Sequence, residues 1–197
     1  MPIIKYLGSY CSNDLSATVE INHRLSSAAF AFQKLKRLHV WNDPFIHKGI
    51  KSILYKVIVQ TTLLYGCETW AVPEFELSRL EVFQMRCLRT ICSLSLMDKV
   101  PNEEILKMCN TSCASDIVRY RRLRWLGHVA RMGNDRLPKM MMFSTLEGAG
   151  KRGRPIKSWN DYVRKDLDSL GLALTWWKRC QDRPSWKAVI ETLLRRT

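Results

Sequence analysis

The run Ser115-Asp-Ile-Val-Arg-Tyr-Arg-Arg-Leu-Arg-Trp-Leu-Gly-His-Val-Ala-Arg-Met132 decides how the chain is read. Ile117, Tyr120, Leu123, Leu126 and Ala130 recur every three or four residues, which predicts an amphipathic helix from Ile117 to Met132 with Ser115 or Asp116 as its N-cap. Arg119, Arg121, Arg122, Arg124 and Arg131 crowd the remaining surface. Arginine forks interleaved with Tyr120 and Trp125 are the mixture that grips phosphates and stacks on bases. The alternative is a helix whose Arg stems cover the edge of a core, and for Trp125 itself a place inside that core is the expectation.

Upstream the period stays helical. Ile21, Leu25, Ala28, Phe32, Leu35 and Leu38 predict a long helix from Leu15 to near Trp41. After the turn Asn42-Asp43-Pro44 a second helix is expected from Phe45 to Tyr65, with Gly66 closing it, and Pro73 opens a third. Asn102 is placed as N-cap of a short helix ending at Cys109. Before all of these, Ile3 to Gly8 reads as one short strand followed by the turn-rich segment Ser9 to Asp14. A strand needs a partner, and the next candidate is Lys139 to Phe143.

Downstream lies one clear linker, Glu147 to Pro155, and then short helices over Trp159–Leu170, Trp176–Gln181 and Trp186–Arg195. The predicted class is therefore mostly α, a helical bundle with a short N-terminal β-strand and a basic helical tail.

Charge is uneven along the 197 residues. Residues 1–118 carry 13 basic and 11 acidic side chains, whereas 119–197 carry 19 and 7, out of a net +14. Such a basic half is the footprint of a polyanion, because each neutralised phosphate releases condensed counterions. A solvated basic face and a membrane-surface patch are the competing readings. No apolar run reaches the ~18 residues of a spanning helix, and Met1 to Lys5 has no signal-peptide pattern. With seven cysteines, an odd number, reduced buried thiols in the nucleus or cytoplasm are expected.

Lys151-Arg152-Gly153-Arg154-Pro155, with Lys157 just beyond, resembles the core of an AT-hook, in which an extended Arg-Gly-Arg-Pro enters the minor groove. The same residues also suit a loop that touches only phosphates, or a flexible linker. Cys87, Cys92, Cys109 and Cys113, with His128 to spare, have half of a zinc spacing. Cys87 and Cys92 point to different sides of a helix, so no metal site is expected. No nucleophile pairs with a base in any familiar pattern, and no carboxylate cluster suits two-metal chemistry. Asp161 fits the first turn of a helix, and Glu103-Glu104 start another.

Five landmarks stand in order: Tyr6-Leu7-Gly8; Leu63-Leu64-Tyr65-Gly66-Cys67-Glu68-Thr69-Trp70; Arg122 to Met132; Gly153-Arg154-Pro155 with Trp159 and Asp161; and Asp182-Arg183-Pro184-Ser185-Trp186. Together they resemble the carboxy-terminal part of the reverse transcriptase of non-LTR (LINE-type) retrotransposons, across essentially the whole chain. The resemblance implies that residues 1–14, with Tyr6, Leu7 and Gly8, are the primer-grip-like end of the polymerase palm. It implies a thumb-like helical domain over 15–116, and a basic extension over 117–197, with the Gly/Arg/Pro loop at 147–157, that holds template RNA or target DNA.

The catalytic Tyr-x-Asp-Asp motif of that family has no counterpart, since the sequence contains no Asp-Asp. The expectation is thus a chain without catalytic residues, cofactor or small-molecule substrate, since magnesium belongs to the palm. Its partners are RNA or DNA, bound through Arg119, Arg121, Arg122, Arg124, Lys151, Arg152, Arg154 and Lys157. A helical protein-interaction module, or a functionless remnant of a truncated element, is the alternative.

Overall fold

The computed structural model describes residues 3–12, 17–143 and 157–195. It is mostly helical with a two-stranded sheet at the N-terminus. The single strand expected there is in fact a hairpin: β1 (Ile3–Tyr6) pairs antiparallel with β2 (Ser9–Ser12), Tyr6 opposite Ser9. Leu7 and Gly8 make the turn with φ of 45° and 83°, the double positive φ that matches the twist of the strands. The segment read as turn-rich thus supplies the missing partner, and Lys139 to Phe143 is helical instead.

Polar contacts tie the hairpin to the first helix and to the turn at Tyr65. Arg24 donates to the Gly8 carbonyl at 2.5 Å, the Tyr65 hydroxyl donates to the Leu7 carbonyl at 3.1 Å, and the Tyr10 amide donates to Glu20 at 2.6 Å. Arg24 and Glu20 are themselves buried and paired at 2.6 Å, and the Arg24 guanidinium lies 4.6 Å from the centre of the Tyr65 ring.

Helix α1 (Thr18–Arg37) has Glu20 in its first turn and Lys34, Lys36 and Arg37 in its last, each complementing the helix dipole. Trp41 closes back on it, stacking on Phe32 and donating to the Phe32 carbonyl at 3.0 Å. The second predicted helix is subdivided into α2 (Lys48–Leu54), a π-helical stretch Tyr55–Gln60, and α3 (Thr61–Leu63). A π-turn leaves i−4 carbonyls open, and side-chain hydroxyls take them: Thr62 donates to Ile58 at 2.7 Å, and Thr61 to Val57. Gly66, at φ 70°, then turns the chain into a 3-10 turn, Cys67–Thr69.

Helix α4 (Glu74–Cys92) follows Pro73, α5 (Asn102–Met108) follows Pro101, and α6 (Ala114–Ala130) carries the arginine run. The buried Gln84 fixes the start of α6, its amide donating to Ser112 O at 2.9 Å while its carbonyl accepts from Ala114 N at 2.7 Å. After α7 (Leu137–Phe143) come α8 (Trp159–Ser169), α9 (Trp176–Gln181), α10 (Arg183–Ile190) and a terminal 3-10 turn, Glu191–Arg195. Asp161 accepts from Ser158 N and Oγ at 2.7 and 2.8 Å, as expected of a first-turn acid, and these bonds hold its carboxyl below the usual range.

Two apolar cores meet along α6. Its first half, through Val118, closes the core built by α1, the π-turn, α4 and α5. Its second half, from Leu123 on, packs with Val163, Leu167, Leu172, Trp186, Ile190 and Leu193. A helix buried on two sides has little solvent surface, and that decides which arginines reach solvent.

Candidate nucleic-acid interface

Trp186 sets the geometry of the site. Its indole N–H donates to the Leu123 carbonyl at 3.1 Å, and its ring lies where a Cβ on residue 127 would be, 2.3 Å from Nε1. Gly127 therefore lets α10 approach α6. Asp182 caps α10, accepting from Ser185 N at 3.2 Å, and Pro184 in the first turn costs no needed N–H. Between the two helices runs an open groove of about 1020 Å³.

Its walls carry Arg121, Arg124, Arg131, Arg183 and Lys187, with His128, against Glu68 and Glu191. Tyr120 and Trp125, both half-buried, contribute aromatic surface, whereas Trp186 is buried beneath the groove floor. Trp125 is half-buried on the groove wall with its ring centre 5.4 Å from that of His128, so the expectation of an interior Trp125 is corrected. The helical step turns it out: Leu123 and Leu126, three residues apart, take the core positions beside it.

Arg124 and Arg183 are exposed and make no ion pair or hydrogen bond among the described residues. Arg121 and Arg131 are half-buried and anchored, the first on the Leu64 carbonyl at 2.8 Å and the second on the Cys180 carbonyl at 2.6 Å. A planar fork held at one edge keeps its remaining N–H groups aimed outward.

Two of the expected phosphate-binding arginines are not placed for it. Arg122 is 1% exposed and paired with Asp166 at 3.0 Å, with Tyr162 beside it. Burial lowers the pKa of Arg122 and raises that of Asp166, each opposed by the attraction of the other. Arg119 lies outside the groove, bridging Glu74 at 2.9 Å and Asp116 at 3.3 Å. Both arginines hold α6 to its neighbours, because the second core surrounds that face of the helix.

Lys151, Arg152 and Arg154 fall outside the described residues, and Lys157 is exposed immediately before α8. Tyr6 ends β1 and Leu7 and Gly8 form the hairpin turn, with Tyr6 and Leu7 exposed. The sequence reading missed Arg183, Lys187 and His128 as wall residues, and the signal for the first two was the Asp182–Pro184 helix start facing a helix that carries a glycine.

Of the four cysteines weighed as zinc ligands, only Cys92 and Cys109 share a short contact, 3.4 Å between sulfurs. Among the described residues no three His, Cys, Asp or Glu side chains are grouped as a metal site would require. Nor, among them, is any helix long and apolar enough to cross a membrane.

The chain is 28% identical over 194 residues to an uncharacterized transposon-derived protein of Caenorhabditis elegans, covering 94% of this chain and 68% of that protein. This similarity supports a transposable-element origin. No protein-family profile matches the chain. No solved structure matches it.

Proposed function

We propose that the chain is the nucleic-acid-binding carboxy-terminal part of a non-LTR retrotransposon reverse transcriptase, with a thumb-like helical part and a basic extension, and that it performs no catalysis itself. The observation that carries this reading is the α6–α10 groove, where five Arg and Lys side chains and two aromatic rings share one open surface. The transposon-derived relative and the order of the five sequence landmarks support the same assignment. No cofactor is assigned to these residues.

An open groove of this composition suits a flexible chain of phosphates and bases better than an enclosed small molecule, whose sites are mostly apolar. Phosphates pair with Arg124, Arg183 and Lys187, while Trp125 offers a base a face to stack on. The test is binding of labelled RNA and DNA oligonucleotides at increasing salt. With roughly six phosphates engaged, affinity falls by ~10³ between about 50 and 200 mM salt.

A second reading, a protein-interaction module, is favoured by the exposed Ile50, Ile53 and Val57 on α2 and the π-turn. It predicts binding to protein that persists at high salt and no oligonucleotide binding. A remnant without function predicts neither.

A further inference from the structure

Cys92 ends α4 and Cys109 caps the end of α5, and their sulfurs stand 3.4 Å apart. Each belongs to a separate helix end, and the segment between them includes an exposed loop, residues 95–99. Cys92 is followed by Ser93 in the left-handed conformation, φ 56°, and Cys109 by Asn110 at φ 47°. Both helices therefore stop at the cysteines, where terminal turns open more readily than helix interiors do.

From this geometry we propose that Cys92 and Cys109 are a reversible dithiol–disulfide site, closed by exchange with a small oxidised thiol compound. The remaining gap to a disulfide bond of ~2.05 Å is shorter than a rotamer change covers. The two thiols are also chemically unequal. The hydrogen bond from Cys109 outweighs burial and, with the Lys48 ammonium nearby, brings the Cys92 thiol down to about 7, while the same partnership pushes Cys109 up. Burial instead raises Cys67 to about 11, Cys87 to about 12 and Cys113 to about 11. Both sulfurs are buried, Cys92 at 5% exposure and Cys109 at 2%, so opening of the helix ends presents Cys92 first, and it is assigned as the attacking thiolate with Cys109 as the resolving thiol.

In the first step the Cys92 thiolate attacks one sulfur of the oxidant's disulfide, forming a mixed disulfide and expelling one small thiolate. In the second, Cys109 loses its proton and attacks the Cys92 sulfur, forming the internal disulfide and releasing the second small thiol. Two protein thiols are oxidised, the oxidant is reduced to two thiols, and both electrons are accounted for. The product ties the end of α4 to the end of α5.

The test uses the full chain and oxidised glutathione near neutral pH, with free thiols trapped by alkylation and the linkages mapped by non-reducing peptide mass analysis. The expected result is a Cys92–Cys109 linkage formed at least about tenfold faster than any modification at Cys67, Cys87, Cys113 or Cys180, and reversed by reduced glutathione. Cys109→Ser should instead accumulate a mixed disulfide at Cys92, with its helical circular dichroism checked in parallel. The proposal is overturned if, in the wild-type chain, Cys92 and Cys109 stay reduced while other cysteines react. Linkage of either one mainly to a different cysteine, Cys11 included, would overturn it equally.

Discussion

Gly127 and Trp186 occupy one another's space: a methyl group on residue 127 would lie 2.3 Å from the indole nitrogen that donates to Leu123. The two come from separate sequence landmarks, so the contact explains on packing grounds why a glycine within the α6 run and a tryptophan in α10 belong to the same pattern. Gly127→Ala gains ~1 kcal/mol of helix propensity and costs ~1–3 kcal/mol of overpacking. The expected outcome in urea unfolding is a net loss of stability, together with weaker oligonucleotide binding as α10 is displaced. A variant at least as stable as the wild type would show that the indole does not pack there.

The Arg122–Asp166 pair yields a second expectation. Asp166→Ala strands a buried guanidinium whose Nε and Nη2 already lack partners, and should cost ~3–5 kcal/mol. Replacing both residues together, as Arg122→Met with Asp166→Leu, should recover most of that loss, because an apolar pair has no charge to desolvate. Denaturation of Arg122→Met, Asp166→Leu and the double variant forms the cycle, and additive losses would mean that the two side chains do not interact. Oligonucleotide affinity of the double variant should match the wild type, since Arg122 does not reach solvent.

Glu74 makes part of the stability pH-dependent. Partial burial pushes its carboxyl up, but Lys165 and Arg119 outweigh that and hold it below the usual range. A lowered carboxylate contributes stability that is present above the ordinary Glu range and is lost as pH falls through the lowered value. Glu74→Gln should therefore be less stable than the wild type at neutral pH, with the difference closing as both are acidified. High salt should shrink the neutral-pH difference as well, because Glu74 is half exposed. A difference independent of pH would assign the effect to packing.

Much of the helical layout was legible in the sequence, because it rests on apolar period and on stop signals. Gly66 ends the second helical region, Pro73 precedes the third, and α9 spans Trp176–Gln181 as read. The hairpin was not legible, because Leu7-Gly8 is not one of the dipeptides that announce a two-residue turn, and Ser9 to Ser12 lacks β-branched residues. Helix α7 was misread as strand: Leu137 to Phe143 carries no period, and its Leu, Lys and three Met favour helix by propensity while Pro138 sits in the first turn, where it is tolerated.

The candidate interface was half legible. The arginine run marked the helix that lines the groove, yet the sequence could not separate Arg122 from Arg124. What separates them is Asp166, which the fold brings against Arg122 from 44 positions away. Arg183 and Lys187 lay in a segment read as a landmark and a short helix beginning at Trp186, and only its docking on Gly127 makes them part of the same surface.

The most direct measurement is the salt dependence of binding to a single-stranded oligonucleotide, compared between two triple variants that each remove three positive charges. One is Arg124→Ala/Arg183→Ala/Lys187→Ala in the groove, and the other is Lys34→Ala/Lys36→Ala/Arg37→Ala at the end of α1. Each lost contact lowers the slope of log affinity against log salt by ~0.7 on a single strand. The groove variant should therefore lose about two units of slope and most of its affinity, while the α1 variant keeps the wild-type slope. Equal losses in both, or no salt-dependent binding in the wild type, would contradict the groove as a nucleic-acid site.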